Sequence, residues 1–116
     1  MRFYFFIKFA DQQLQNYKKA DRLMIGCFCA ASNISGVLND DINITAILHN
    51  HGALSFWDYA TAAPYVDINV NPKVPNDVEN LCAKDAVYFS MHKFVGGVQT
   101  PGILVAKKEL FKRCDF

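Results

Sequence analysis

Apolar residues fall into short runs separated by turn-forming residues. Leu23 to Ala30 is brief and almost wholly apolar, the pattern of a strand buried in a sheet, and it empties into Ser32, Asn33, Ile34, Ser35 and Gly36. A loop at the end of a buried strand is a favoured place for function. Ala53 to Asp58 and Ala86 to Ser90 repeat the strand pattern, and Ile103 to Ala106 is a fourth such run. Ile44, Ala46, Ile47 and Leu48 predict a helix, capped by Asn43 or Thr45 and closed by His51 and Gly52. Leu14, Tyr17 and Ala20 lie at helical spacing in the polar stretch Ala10 to Ala20 and predict a surface helix, and Lys107 to Arg113 predicts a last one. Pro64, Pro72 and Pro75 make the segment between the second and third strands loop-rich, with Tyr65 to Val70 extended between them. Strands alternating with helices predict an α/β fold: a partial, mixed, mostly parallel sheet with flanking helices, whose last strand can pair antiparallel.

With 116 residues the chain has room for one domain of ordinary size and a modest core. Hydrophobic residues at 52% and charged residues at 20% are too apolar a balance for a disordered tail, so the chain should fold or belong to something that folds. A formal net charge of +1 carries no footprint of a nucleic-acid or anionic-membrane binder. Met1 to Ala10 is aromatic and apolar, but Arg2 and Lys8 interrupt it and it runs into Asp11, Gln12 and Gln13 with no cleavage site, so it does not read as a secretory signal. No run approaches the roughly 20 apolar residues of a membrane span. A soluble, cytoplasmic protein is the expectation, with residues 1–11 left unplaced.

Cys27 and Cys29 stand two apart within one strand, on one face, too close for an easy disulfide, and read as a pair of small buried residues. Neither they nor Cys82 and Cys114 show zinc spacing, and no metal is expected. His49 and His51 form an HxH pair, yet residues two apart on a helix face different directions, so they read as polar residues of a helix end rather than as ligands. A metal-dependent hydrolase built on His49, His51 and Asp58 is the weakest of three functional readings. Asp40 and Asp41 read as a turn residue and a helix-start charge.

Ligands in open α/β sheets gather at the carboxyl ends of strands. Three of the strands lead there to polar residues: the first to Asn33, the second to Asp58, and the third through Ser90 to His92 and Lys93. Lys93, set between His92 and the apolar pair Phe94 and Val95, is expected to be partly buried. Each residue alone has an ordinary explanation in turn geometry. Together they match the demands of pyridoxal 5'-phosphate. Its aldehyde needs a readily deprotonated lysine for a Schiff base, its pyridine nitrogen a carboxylate, its phosphate hydroxyl and imidazole donors, and its phenolic oxygen a donor such as an amide. Lys93, Asp58, Ser90 with His92, and Asn33 supply one group for each.

The stretch Ser90-Met91-His92-Lys93 resembles the Ser-x-His-Lys motif of class V aminotransferases and cysteine desulfurases, and Gly96, Gly97 and Gly102 resemble the glycine-rich turn that follows it. Asp58-Tyr59-Ala60 is similar to the family's Asp-x-Ala element, and Asn33 with Gly36 to its Asn-x-x-Gly turn. The resemblance covers roughly Gln12 to Phe111. It implies residues 12–116 to be part of the cofactor-binding large domain of a fold-type I pyridoxal-phosphate enzyme, a homodimer in the full-length parent. Lys93 would be both the Schiff-base lysine and the acid and base at the substrate's Cα, and Asp58 the partner of the ring nitrogen. Ser90 and His92 would hold the phosphate, Asn33 the phenolic oxygen, and Ala60 would lie flat against the ring. The substrate would be an amino acid, the chemistry transamination or C–S lysis. Thr61 stands where many members carry Gln or His, so the phenolic-oxygen contact would fall to Asn33. The other half of the pocket has no counterpart in this sequence, which leaves an inactive homologue, binding at most cofactor or a partner chain, as the alternative.

Overall fold

The computed structural model describes residues 11–17 and 22–112. Expectations for Met1 to Ala10, Ala20, Arg113 and Cys114 lie outside the described residues. Four strands, β1 (Ile25–Cys29), β2 (Leu54–Asp58), β3 (Ala86–Ser90) and β4 (Gly102–Ala106), form one sheet in the order β1-β2-β3-β4. The first two pairings are parallel and the third is antiparallel. Residues 11–17 are helical (α1), and α2 spans Asp41–Asn50. The fold is α/β with a mixed, mostly parallel sheet. No helix among the described residues is long and apolar enough to cross a membrane.

Packing on one face explains the core. Side chains alternate along each strand, so Phe28, Trp57 and Val87 point to the same side, where α2 lies. Trp57 is fully buried, stacks obliquely on Phe28 with ring centroids 5.6 Å apart, and donates its indole N–H to Thr45 Oγ1 at 2.9 Å. Helix and strand approach closely because Gly26 has no side chain: a Cβ there would fall 2.5 Å from Leu48 Cδ2. Thr45 is therefore a buried partner of the core and not a cap. The cap is Asp40, whose carboxylate accepts the Asn43 amide at 3.1 Å, so α2 starts at Asp41, earlier than the choice of Asn43 or Thr45 had it. His51 and Gly52, the latter at φ +75°, end it as expected.

Tyr65 to Val70 forms no strand; Val66, Ile68 and Val70 instead press as a loop against the core. The Lys107 to Arg113 helix is reduced to a short 3-10 turn over Lys108–Phe111. The buried pair Cys27 and Cys29 is also overturned: both thiols are exposed. β1 is an edge strand, and its Ile25, Cys27 and Cys29 face away from α2, on the side of the sheet that no described helix covers. An unbroken apolar run signals burial on both faces, but here only one face is covered.

A buried polar joint at the start of β3 had no counterpart in the sequence reading. Asp85, 4% exposed, accepts the Ser55 amide at 2.7 Å, faces His49 Nε2 at 2.7 Å and pairs with Lys107 Nζ at 2.8 Å. Burial by itself would raise this carboxyl, but the His49 and Lys107 contacts and the Ser55 amide outweigh it and hold it below the ordinary carboxylate range. His49 reaches Leu81 O through Nδ1 at 2.6 Å, while His51 turns to Asp11 at 2.7 Å.

Candidate functional site

β2 and β3 run parallel and end side by side, with Asp58 and Tyr88 as register partners. Alternation puts Asp58, Tyr88 and Ser90 on the open face of the sheet, opposite the core. There they line a hollow of about 350 Å³ with Ala60, Gly102 and Leu104. Three expected site residues, Asp58, Ala60 and Ser90, thus share one cavity.

Asp58 is half-buried. Its Oδ1 accepts the Ala60 amide at 2.7 Å, which bends the chain out of the strand, and Oδ2 makes no hydrogen bond among the described residues. The Asp58 carbonyl accepts the Ala30 amide at 2.8 Å, and the next amide, of Tyr59, goes to Tyr88 O at 2.9 Å. A carboxylate so framed, with one oxygen still open toward a hollow, suits a cationic hydrogen-bond donor such as a protonated ring nitrogen.

Ser90 ends β3, and Met91–Lys93 follows as a single 3-10 turn. Phe94 N–H closes it on Met91 O at 3.0 Å. The glycine turn then folds back tightly: a Cβ on Gly97 would sit 1.8 Å from Met91 O, and Gly96 has φ +78°. His92 and Lys93 project from this turn and are exposed, neither lining the hollow nor hydrogen-bonded among the described residues. The expected partial burial of Lys93 is therefore corrected. Its apolar neighbours do not cover it, since Val95 is itself fully exposed and only Phe94 packs inward, against Phe89 at 6.3 Å.

Asn33 is not in this cavity. It lies in the loop after β1 and lines a second hollow of about 310 Å³ with Gly36, Thr61 and Tyr65. Asn33 and Thr61, the two residues weighed for the phenolic-oxygen contact, are thus neighbours.

The residue missed in the sequence is Tyr88. Burial first, and then the charge of Asp58 with the nearby Cys27 and Cys29, pushes its phenol above the ordinary value, so it stays protonated beside the carboxylate. The period of two along β3 was the available signal, since it sets Tyr88 on the face of Ser90. The hydrolase reading fails on geometry. His49 and His51 are engaged elsewhere, and His51 precedes β2 while Asp58 ends it, separated by about 13 Å of strand. Among the described residues no three His, Cys, Asp or Glu side chains gather where an ion could sit.

Among curated proteins none matches the chain in sequence. The aminotransferase class-V family model matches residues 8–115, essentially the whole chain. The chain therefore belongs to the aminotransferase class-V family, whose members are generally pyridoxal-phosphate-dependent and act on amino acids.

Proposed function

We propose that this chain carries the cofactor-anchoring part of a pyridoxal 5'-phosphate enzyme acting on an amino acid, by transamination or by cysteine desulfurase-like C–S lysis. The observation that carries this reading is the convergence of Asp58, Ala60 and Ser90 on one hollow at adjacent parallel strand ends, with Lys93 three residues beyond Ser90. The donor set fits the group: an open carboxylate oxygen for the ring nitrogen, a methyl-sized wall, and a hydroxyl followed by an imidazole for the phosphate. When bound, the cofactor supplies an electron sink for charge developing at the substrate's Cα.

The residues then have separate tasks. Asp58 holds the ring nitrogen protonated, and Ala60 leaves room for a flat ring where a larger side chain would fill the hollow. Ser90 would hold the phosphate from within the hollow, whereas His92, exposed on the turn beyond it, and Asn33, which lines the second hollow, would have to move to reach the phosphate and the phenolic oxygen. Lys93 anchors the aldehyde and moves the proton at Cα. Lys93 is exposed and makes no hydrogen bond or ion pair among the described residues, so this role would require its side chain to turn toward the hollow. A homodimer in the full-length parent belongs to the same reading.

The test is direct. Purified chain mixed with pyridoxal phosphate should gain a visible absorption band that borohydride abolishes, leaving a pyridoxyl mass on the Lys93 peptide. If Lys93→Ala keeps the band, or the label sits on another lysine, the assignment is wrong. The exposure of Lys93 favours one second reading, a homologue that binds cofactor or a partner chain without turnover. It predicts labelling of Lys93 but no consumption of any amino acid supplied.

A further inference from the structure

Lys84 is 1% exposed, among the largest fully buried side chains of the molecule. Its ammonium pairs with Asp41 Oδ2 at 2.8 Å and donates to Asn69 O at 2.8 Å. The same Asp41 oxygen accepts the hydroxyl of Tyr59, itself only 3% exposed. Burial first, then the bond to the Asp41 carboxylate, raises the Tyr59 phenol far above its ordinary value, so it remains a donor. Lys84 enters β3, Asp41 opens α2 and Tyr59 follows the last residue of β2, so a three-membered polar strut joins three elements.

Asp58 and Tyr59 are consecutive and point to opposite sides of the sheet, one to the open hollow and the other to the core. Turning Tyr59 about the strand axis would therefore turn Asp58. This corner is also held by main-chain bonds from Ala30 to Asp58 O, from Tyr59 to Tyr88 O and from Ala63 to Tyr59 O at 2.7 Å, and by the Ala60 amide on Asp58 Oδ1. A buried ion pair is a poor stabiliser, because desolvating both charges offsets most of their attraction.

We infer that Lys84, acting through Asp41 and Tyr59, is a positioning residue that aims the Asp58 carboxylate into the hollow. The inference rests on Asp58 being the ring partner of the cofactor, but its geometry is testable without cofactor. The Ala60 amide reports the carboxylate direction, since Asp58 Oδ1 is its acceptor.

Hydrogen exchange followed by NMR on the full chain decides it. In Tyr59→Phe, which leaves the Lys84–Asp41 pair intact, the Ala60 amide should exchange about ten-fold faster, the loss expected for one hydrogen bond, while amides within β2 and β3 keep their rates. Lys84→Met should give the same selective change and Lys84→Arg should restore it; if Lys84→Met does not fold, Tyr59→Phe and Lys84→Arg still decide. Unchanged Ala60 exchange in Tyr59→Phe, or acceleration of all strand amides together, overturns the inference. Failure of wild-type chain to label at Lys93 would sink the cofactor reading and leave this result standing.

Discussion

Asp58 and Tyr88 face each other across the parallel pairing of β2 and β3, at the rim of the hollow that also holds Ala60 and Ser90. The pairing separates the charge of Asp58 from its structural duty. Asn at this position keeps an oxygen for the Ala60 amide but loses the negative charge. Asp58→Asn should therefore leave the denaturation midpoint nearly unchanged, within about 0.5 kcal/mol. It should also weaken retention of pyridoxal phosphate by about ten-fold or more, roughly 1.4 kcal/mol. Equilibrium dialysis beside a urea titration measures both. Equal retention by the two proteins would remove Asp58 from the site.

Gly97 and Gly102 make a matched pair of probes for the turn that presents Lys93. A methyl group on Gly97 would overlap the Met91 carbonyl at 1.8 Å, a backbone atom that cannot swing aside, whereas on Gly102 the nearest atom is Phe89 O at 3.7 Å. Gly97→Ala should cost about 2 kcal/mol or more in chemical denaturation and abolish borohydride-fixed label on Lys93. Gly102→Ala should leave the denaturation midpoint nearly unchanged, within about 0.5 kcal/mol, and serves as the stability control only, since Gly102 lines the hollow. If Gly97→Ala labels normally, the tight turn is not what presents the lysine.

The strand ends were legible in the sequence because strand endings are written locally. Apolar runs stop at Asp58 and Ser90, and motif residues follow at fixed offsets. Neighbouring strands then bring Asp58 and Ser90 together without further information. The exposure of Cys27 and Cys29 was not legible, since it depends on which face of the sheet is covered and an apolar run is the same in both cases; that of Lys93 was not legible because it depends on how the turn after β3 directs its side chain. Lys84 and Asp85 were invisible for the opposite reason. Charged residues read as surface, and only the tertiary partners Asp41, His49 and Lys107 explain their burial.

Asp85 sets an acid limit on stability. Its folded-state carboxyl lies below the unfolded value of about 3.9, so its contribution is full above about pH 5 and is lost as the pH falls through the folded value. Asp85→Asn should be less stable at neutral pH by on the order of 3 kcal/mol, because His49 and Lys107 lose their anion. It should also show a flatter loss of stability between about pH 5 and pH 2. Denaturation midpoints across that range compare the two proteins. Parallel curves would mean that other carboxylates dominate the acid limb.

Thiol chemistry reads the uncovered face of the sheet directly. Cys27 and Cys29 are exposed on the edge strand, while Cys82 is 7% exposed. Burial first, then the bond and charge of Asp77, raise the Cys82 thiol, so it is poor in thiolate as well as hidden. A brief maleimide pulse on the native chain, followed by peptide mapping, should label Cys27 and Cys29 well before Cys82. In denaturant the three should react alike. Protection of Cys27 and Cys29 in the native protein would mean that this face is covered in solution. If adding pyridoxal phosphate slows labelling of Cys29 more than of Cys27, the ligand sits toward the Asp58 end of β1, because Cys29 is the register partner of Asp58 and Cys27 that of Phe56.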